Sequence, residues 1–365
     1  MTTSLLDAFF NGNKHVEFSD EYNAQIGKVK AITLDGRLKN YGRSSPMIKY
    51  GLLAAGEAIS QSRLCQDGDS KVGIVTGILM GAQRSVEKYF ASVFQENPAF
   101  ASSSQFPMTT MNALGGQASI AYKIKGFNTT LAGSHSAFFY AVSLLRNGRQ
   151  SSVITLSADE ITPCLVDIYS LMGVTSMANQ DHQGITNLAI GEAGGAILLE
   201  TLEGSAARNH FPLAEVLGIC VSQDGKLHKA CRKGTALQRC MEKALETAQL
   251  EPYQIDAVVS NRSALLIHQK AESNALSMVF DHLPQVFRVD YCTGFCPSSG
   301  FVLGIIGAVG ILQRMLLPST KTLINGGTHG ATCKLRENHE INHIMVICLS
   351  LTGESCAVIL KRFRT

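Results

Sequence analysis

The residue types that could do covalent chemistry concentrate in one short run, Gly133-Ser134-His135-Ser136, at the predicted start of a helix. A serine hydroxyl can act as a nucleophile when a nearby histidine takes its proton, which would suit a serine acyltransferase. Consecutive residues at a helix start point in different directions, so direct pairing of Ser134 with His135 is disfavoured. We therefore favour a buried histidine that fills space at this point. A Ser134 acyltransferase stays as the alternative.

Two other patterns resemble functional motifs but fit them poorly. Cys292 and Cys296 could bind zinc together with His282. No second closely spaced pair accompanies them, so buried core cysteines are favoured. Gly191-Glu-Ala-Gly-Gly resembles a nucleotide-binding loop, but it precedes a predicted strand instead of opening a helix. We expect neither a metal site nor a nucleotide site.

The composition indicates a folded chain of 365 residues with a large core. Apolar residues make up 45% and charged residues 17%, which excludes a mainly disordered chain. The 32 basic residues nearly balance the 29 acidic ones, so the charge gives no basis for nucleic-acid binding. The ten cysteines form no CxxC pair and the chain opens without a signal-like segment, so we expect a reduced, cytoplasmic setting. The most apolar run, 301–312, is too short to cross a membrane.

Short β-branched runs alternate with longer helical periods, which predicts an α/β fold with sheets covered on both faces. Strands are predicted over 71–77, 151–157, 195–200, 214–221, 256–260, 286–289, 344–349 and 355–360. Helices are predicted over 46–60, 235–249, about 268–280 and 301–312. Since strand–helix order occurs twice, we predict two similar halves, 1–205 and 206–365.

Five segments resemble, in order, the β-ketoacyl synthases of the thiolase fold, and the resemblance covers nearly the whole chain. They are Arg43-Ser-Ser-Pro-Met-Ile-Lys-Tyr-Gly, Phe106-Pro-Met-Thr-Thr-Met-Asn-Ala, Gly191-Glu-Ala-Gly-Gly-Ala-Ile, Thr293-Gly-Phe, and the Ser-Ser-Gly helix that follows. The resemblance implies a layered α-β-α-β-α fold made of two thiolase-like halves.

The resemblance also implies an active site that this sequence lacks. The family uses a cysteine nucleophile at a helix start and two histidines that stabilise the anion formed on decarboxylation. At these positions stand His135, Asn261 and Phe295, while the family lysine five residues before the second histidine is replaced by Asp290. The Gly-Phe-Gly-Gly loop of the family reads Ser350-Leu-Thr-Gly. We therefore expect no catalytic residue and a vestigial site. It comprises Ser134, His135, Asn261, Phe295 and Asp290.

One branch of the family has this profile of a retained scaffold and an emptied site. It is the chain length factor of type II polyketide synthases, which pairs with a catalytic ketosynthase and has Gly-Glu-Gln-Ala where this chain has Gly133-Ser-His-Ser. The resemblance implies a subunit that is not catalytic alone and that shapes the polyketide tunnel of a heterodimer. An acyl carrier protein would deliver its phosphopantetheine arm to the partner subunit, and no cofactor of this chain's own is expected. A non-catalytic homodimeric scaffold is the alternative.

Six residues match positions that line the tunnel or the dimer interface in the family. They are Ile78, Phe106, Met108, Thr109, Met111 and Asn112. A larger side chain at such a position would fill the end of the tunnel and shorten the product. Plain interface packing is the alternative for each of them.

Three further features bear on the site and its surroundings. Arg262 and Lys270 are expected near the site mouth, either meeting an acidic carrier protein or its phosphate, or standing as solvated charges. Compared with the family, the first sheet is expected to lack or alter one strand. The helix over 135–148 is about one turn shorter.

Overall fold

The computed structural model describes residues 2–29, 32–34, 36–64, 72–96, 98–103, 105–173, 189–224, 233–262, 265–318 and 340–364. The α-helices within these ranges are α1 (Thr2–Asn11), α2 (Pro46–Gln61), α3 (Gln83–Ala91), α4 (Ala113–Tyr122), α5 (Ser134–Arg146), α6 (Pro163–Leu171), α7 (Leu202–Ala206), α8 (Thr235–Ala248), α9 (Leu266–Val279), α10 (Asp290–Thr293) and α11 (Gly300–Arg314). The strands are β1 (Val16–Ser19), β2 (Ala24–Gly27), β3 (Val72–Ile78), β4 (Asn128–Ala132), β5 (Ser152–Asp159), β6 (Ile190–Gly191), β7 (Ala193–Glu200), β8 (Ala214–Gln223), β9 (Ala257–Arg262), β10 (Gln285–Arg288), β11 (His343–Leu349) and β12 (Glu354–Arg362).

Two main sheets have matching topologies. The first has the order β4-β3-β5-β7, with β4, β3 and β5 parallel and β7 antiparallel to them. The second has the order β10-β9-β11-β12-β8, in which the first three strands are again parallel and β12 is antiparallel. Strand β8 lies beyond β12 and has no counterpart among the described strands of the first sheet. The first sheet thus has one described strand fewer than the second.

Helices cover both faces of each sheet. Helices α5 and α11 pack against each other between the two sheets, α2 and α4 cover the outside of the first sheet, and α8 covers the outside of the second with α9 beside it. This is the layered α-β-α-β-α arrangement. Every residue of β3 and of β5 is buried, which explains why these strands read as apolar runs without alternation.

A local sequence signal marks the start of the outer helix α2, whereas the central helix α11 depends on close packing. Helix α2 begins at Pro46, and the Ser45 hydroxyl before it accepts a hydrogen bond from the backbone N–H of Ile48. In α11, a Cβ added at Gly307 would lie 2.8 Å from Val289, so only glycine lets this helix approach its neighbours. The central layer is therefore tightly packed.

The predicted elements are confirmed, with ends that shift by one or two residues. The sequence analysis missed β4, because its residues Asn-Thr-Thr-Leu-Ala are polar and only partly buried at the edge of the sheet. It also missed the β1–β2 hairpin, whose strand β2 pairs with the short β6. In the described residues, no helix is both long and apolar enough to cross a membrane. The predicted boundary at residue 205 stays a prediction.

Candidate active site

The candidate site is built on the tight turn between β4 and α5. Gly133 has φ +80°, a left-handed conformation that favours glycine, and a Cβ there would meet the His135 ring at 2.6 Å. On the neighbouring strand β3, a Cβ at Gly77 would lie 2.4 Å from the Cα of Ser134. The two glycines together let the first turn of α5 lie directly against the sheet. Ser134 and His135 are both buried there, with 2% and 3% of their surfaces exposed.

His135 forms a partly buried ion pair that joins the two halves of the chain. Its Nε2 lies 3.0 Å from Oε2 of Glu354, the first residue of β12, and its ring packs edge-on against Phe301 of α11. Burial alone would lower the pKa of His135, but the adjacent Cys348 and Glu354 outweigh burial and raise this pKa to about 9. The hydrogen bond from His135 in turn lowers the pKa of Glu354. The imidazole is therefore a cation at neutral pH.

Asn261 lies beside Cys348, which also neighbours His135. It is buried on β9 in register with Cys348 on β11, and its Nδ2 donates a hydrogen bond to the Cys348 sulfur at 3.6 Å. A Cβ at Gly300, the first residue of α11, would lie 2.5 Å from Asn261 Oδ1. The structure thus places two of the three positions that the sequence analysis predicts to match family catalytic residues around Cys348.

Phe295, at the third position, packs in a separate hydrophobic cluster. Its neighbours there include Tyr22, Ile26 and Tyr169, and only 3% of its surface is exposed. Its backbone N–H donates to the Ala189 carbonyl at 2.7 Å. A phenyl ring has no donor or acceptor, so this position offers no hydrogen bond to a reacting group.

Asp290 belongs to a chain of buried charges. Arg288 donates to both oxygens of Asp290 and also, at 2.9 Å, to the backbone carbonyl of Arg262. The Arg262 side chain is itself buried and donates from Nε to Glu272 at 2.9 Å. The expectation that Arg262 lies at the site mouth or in solvent is therefore wrong, because its guanidinium is held in the core by Glu272. Lys270 is exposed as expected.

Ile78 is fully buried in the first-half core, in the same cluster as Leu114 and Leu156. The expectation that it lines a tunnel or an interface stays a prediction.

The other five predicted tunnel or interface residues are exposed or half-buried, and two of them, Met111 and Asn112, lie beside the edge strand β4. Phe106 and Met111 are large apolar side chains with 55% and 43% of their surfaces exposed. Met111 and Asn112 line a groove of about 530 Å³, which Gly116, Asn128 and Thr130 complete. Met108 and Thr109, in the same short 3-10 helix as Phe106, are half-buried. These residues thus form a surface rather than a closed tunnel wall.

The three residues considered as zinc ligands differ in burial. Cys292 and Cys296 are buried in the core, whereas His282 is exposed. Within the described residues, no group of three histidine, cysteine or acidic side chains could hold a metal ion.

Sequence reasoning missed Glu354 and Cys348 as neighbours of His135. Glu354 is 219 residues away along the chain, and Cys348 sits in an apolar run that is typical of a core strand. Neither contact is indicated by a local sequence pattern. Only the packing of α5 against the second sheet creates them.

The chain belongs to the β-ketoacyl synthase family. Residues 15–205 match the family model for the N-terminal domain and residues 213–323 match the model for the C-terminal domain. It is 21% identical over 97% of its length to 3-oxoacyl-[acyl-carrier-protein] synthase 2 of Staphylococcus aureus (strain COL), covering 93% of that protein. It is 22% identical to the chloroplastic 3-oxoacyl-[acyl-carrier-protein] synthase I of Arabidopsis thaliana, over 75% of this chain and 65% of that protein.

Solved structures show the same thiolase-like fold. The ishigamide ketosynthase/chain length factor superimposes with a TM-score of 0.84 at 18% identity, covering 99% of this chain and 95% of that one. A type II PKS acyl-carrier protein in complex with its ketosynthase bound to the hexaketide contains a chain that matches with a TM-score of 0.82 at 14% identity, with the same coverage. The family and the fold predicted from the sequence are confirmed.

Proposed function

We propose that this chain is a ketosynthase-like subunit that does not condense acyl units itself and that pairs with an active ketosynthase to shape a polyketide tunnel. The observation that carries the proposal is the state of His135. It occupies the position of the family nucleophile at the start of α5, and its ring is buried and bonded to Glu354. A condensing enzyme of this family needs a thiolate at that position, and an imidazolium cannot replace it.

The other two positions support the same conclusion. Decarboxylation requires donors that stabilise a developing anion. Phe295 has none, and the Asn261 amide donates to the Cys348 sulfur. This arrangement does not favour the serine acyltransferase either, because Ser134 is buried and the His135 ring is bonded to Glu354.

The surface around β4 supports pairing with another subunit. Strand β4 is an edge of the first sheet among the described residues, and an uncovered sheet edge readily pairs with another chain. Beside it, Asn112, Gly116 and Ile120 share one face of α4, and Ile120 is 68% exposed. Phe106 and Met111 extend this apolar surface. A partner of the same fold would bury it and enclose the 530 Å³ groove.

Within such a heterodimer, the acyl carrier protein would bring its phosphopantetheine arm to the catalytic partner. This chain would contribute groove residues to the tunnel in which the product grows. We infer that Met111 and Asn112 are the residues of this subunit that set the space available to the chain.

The test is to co-express this chain with a type II ketosynthase and its acyl carrier protein, weigh the complex by native mass spectrometry, and profile the products. We expect a one-to-one heterodimer whose polyketide output disappears when the partner's catalytic cysteine is replaced. Condensation of malonyl-carrier units by the purified chain alone would refute the proposal. A stable homodimer that does not bind the ketosynthase would instead indicate a non-catalytic homodimeric scaffold.

The acyltransferase alternative has its own test in the same system. A Ser134→Ala variant removes the hydroxyl and leaves the backbone of α5 unchanged. We expect it to give the same products as the parent subunit. A loss of product with the heterodimer intact would indicate that Ser134 is a nucleophile.

A further inference from the structure

A small, largely enclosed cavity lies where β5 ends beside the start of α11. Its volume is about 10 Å³, which is close to the space that one water molecule needs. Asp159, Glu160 and Tyr169 line it with side chains that carry oxygen atoms, and apolar side chains such as Leu165 and Pro297 line the rest. This space is called the acidic cavity below. It is separate from the groove beside β4.

Asp159 and Glu160 are both buried, and each one binds the start of a helix. Asp159 accepts hydrogen bonds from the backbone N–H groups of Ser298 and Ser299 at 3.0 and 2.7 Å, and from the Ser299 hydroxyl at 2.7 Å. Glu160 accepts from one backbone N–H at the start of α2 and one at the start of α3, at 3.0 and 2.8 Å. An ionised carboxylate has about four acceptor positions, so both groups are still able to bind a further partner.

The Tyr169 hydroxyl is the third polar group of the cavity. Tyr169 is 2% exposed, and its hydroxyl oxygen has no hydrogen-bond partner among the described residues. Burial raises the pKa of this phenol, and the charge of the nearby Asp159 raises it further. A buried hydroxyl without a partner is unfavourable, so we expect an occupant that contacts the hydroxyl and the carboxylates together.

The charge around the cavity favours a cation over a water molecule. A third buried carboxylate, Glu192, accepts from the backbone N–H of Ile161, the residue after Glu160. The Arg84 guanidinium acts on Glu160 and donates to the Ile161 carbonyl at 3.2 Å, but it offsets only one of these three negative charges. The helix starts supply only partial positive charges. Burial raises the pKa of Asp159 and of Glu160, as expected where positive charge is lacking.

We propose that the acidic cavity binds one dehydrated monovalent cation of about the size of potassium, held by Asp159, Glu160 and the Tyr169 hydroxyl. Such an ion is similar to a water molecule in size and exchanges its hydration shell for protein oxygens. Magnesium keeps several of its waters, for which a cavity of about 10 Å³ has no room. The site has two acidic side chains and a phenol, so it differs from the groups of three considered for metal binding above. It does not depend on the subunit role.

The experiment measures thermal unfolding of the purified full chain by circular dichroism in different chloride salts at equal ionic strength. We expect the melting temperature in potassium or ammonium chloride to exceed that in tetramethylammonium chloride by at least about 2 °C, because the tetramethylammonium ion is too large for the cavity. Sodium is smaller than the cavity and should give a smaller shift.

A pair of tyrosine variants separates binding in the cavity from a general salt effect. Tyr169→Phe keeps the ring and removes the hydroxyl, so we expect it to lose most of the potassium-dependent shift. Tyr122→Phe is the matched control, because Tyr122 is also buried and its hydroxyl donates to the Leu52 carbonyl at 2.6 Å, outside the cavity. It should keep the whole shift. Asp159→Asn should abolish the shift, and Tyr169→Phe carries the test if that variant fails to fold.

Rubidium replaces potassium in protein sites and scatters anomalously, so crystals grown in rubidium chloride locate the ion directly. We expect one anomalous peak between Asp159 and the Tyr169 hydroxyl. Three results would overturn the inference. They are equal melting temperatures in all the salts, which would indicate a buried water only, an equal potassium response in Tyr169→Phe and Tyr122→Phe, or no peak in the cavity.

Discussion

At the residue scale, His135 forms an ion pair with Glu354 at the start of α5, at the position that the sequence analysis predicts to match the family nucleophile. The imidazole is 3% exposed and is stabilised as a cation by Glu354, which comes from the other half of the chain. Buried ion pairs contribute little net stability against an apolar alternative, but losing one partner is costly. The pair thus couples the folding of α5 to that of β12.

The ion pair predicts a pH-dependent difference between the parent chain and His135→Gln. A folded pKa of about 9 against an ordinary 6.5 makes the stabilisation fully present below pH 6.5 and lost as the pH rises through 9. We expect the difference in unfolding free energy between the parent chain and His135→Gln to shrink by on the order of 3 kcal/mol between pH 6 and pH 10. Urea denaturation across this range measures it.

The control for this experiment is an exposed histidine. His282→Gln, at an exposed position outside the pair, should follow the parent chain at every pH. A gap for His135→Gln that stays constant with pH would show that the imidazole contributes through packing rather than charge.

Since the pKa of Glu354 is lowered, its own contribution is present above its ordinary pKa of 4.5 and is lost as the pH falls through the lower folded value.

At the element scale, two junctions determine the geometry of the site. The first turn of α5 lies against β3 at Gly77, and the buried charge chain ties β9, α9 and β10 to α10. Substitutions at either junction are expected to be destabilising. The contact of α5 with β3 is a close backbone contact, and the charge chain consists of desolvated charges.

Gly77→Ala is expected to destabilise the chain by about 1–3 kcal/mol, because the added methyl would lie 2.4 Å from the Ser134 Cα and the backbone of α5 would have to shift. Gly42→Ala is the matched control. Gly42 is exposed, and an added methyl there would meet its nearest atom at 3.9 Å. Thermal and urea unfolding of both variants measure the effect, and equal stabilities would contradict the close approach of α5 to β3.

Asp290→Asn is expected to cost about 3–5 kcal/mol, because it leaves the Arg288 guanidinium charged and buried without its counter-ion. The exposed pair Lys243–Glu246 offers a comparison, and Glu246→Gln there should cost less than about 1 kcal/mol. Both are measured as shifts in the urea midpoint at constant m-value. A near-neutral Asp290→Asn would mean that Arg288 relaxes toward water.

At the scale of the whole molecule, the two sheets and their central helices form a complete core, while the β4 side of the first sheet has no neighbouring strand among the described residues. The edge strand β4, the groove and the apolar residues beside it lie on that side. Exposed apolar surface next to an open edge indicates an interaction site. This surface is where the proposed partner subunit would bind.

Ile120→Lys is expected to weaken association with the ketosynthase by at least about tenfold, because an ammonium group would be desolvated in an apolar interface. Tyr253→Lys is the control, since Tyr253 is 84% exposed in the second half of the chain and outside the proposed interface. Native mass spectrometry of titrated complexes measures both. If the two variants bind alike, the partner uses another face.

The sequence alone determined the family and the alternation of strands and helices, whereas the loss of the family nucleophile at His135 stays a prediction. These depend on local patterns: apolar runs in β3 and β5, the Ser45–Pro46 helix start, and residue identities at matched positions. Local patterns can be recognised in the sequence because strand and helix periodicity depends on near neighbours along the chain.

Only the tertiary structure decided what surrounds His135. Glu354 and Cys348 reach it from the far end of the chain, Arg262 is drawn inward by Glu272, and Ile78 is buried in the core of the first half. The contacts of His135 arise when the two sheets close on the shared helices α5 and α11, and its pair with Glu354 joins residues 219 positions apart. Arg262 and Glu272 are only 10 positions apart, yet their pairing is not indicated by the sequence either, because burial and charge pairing are settled by packing.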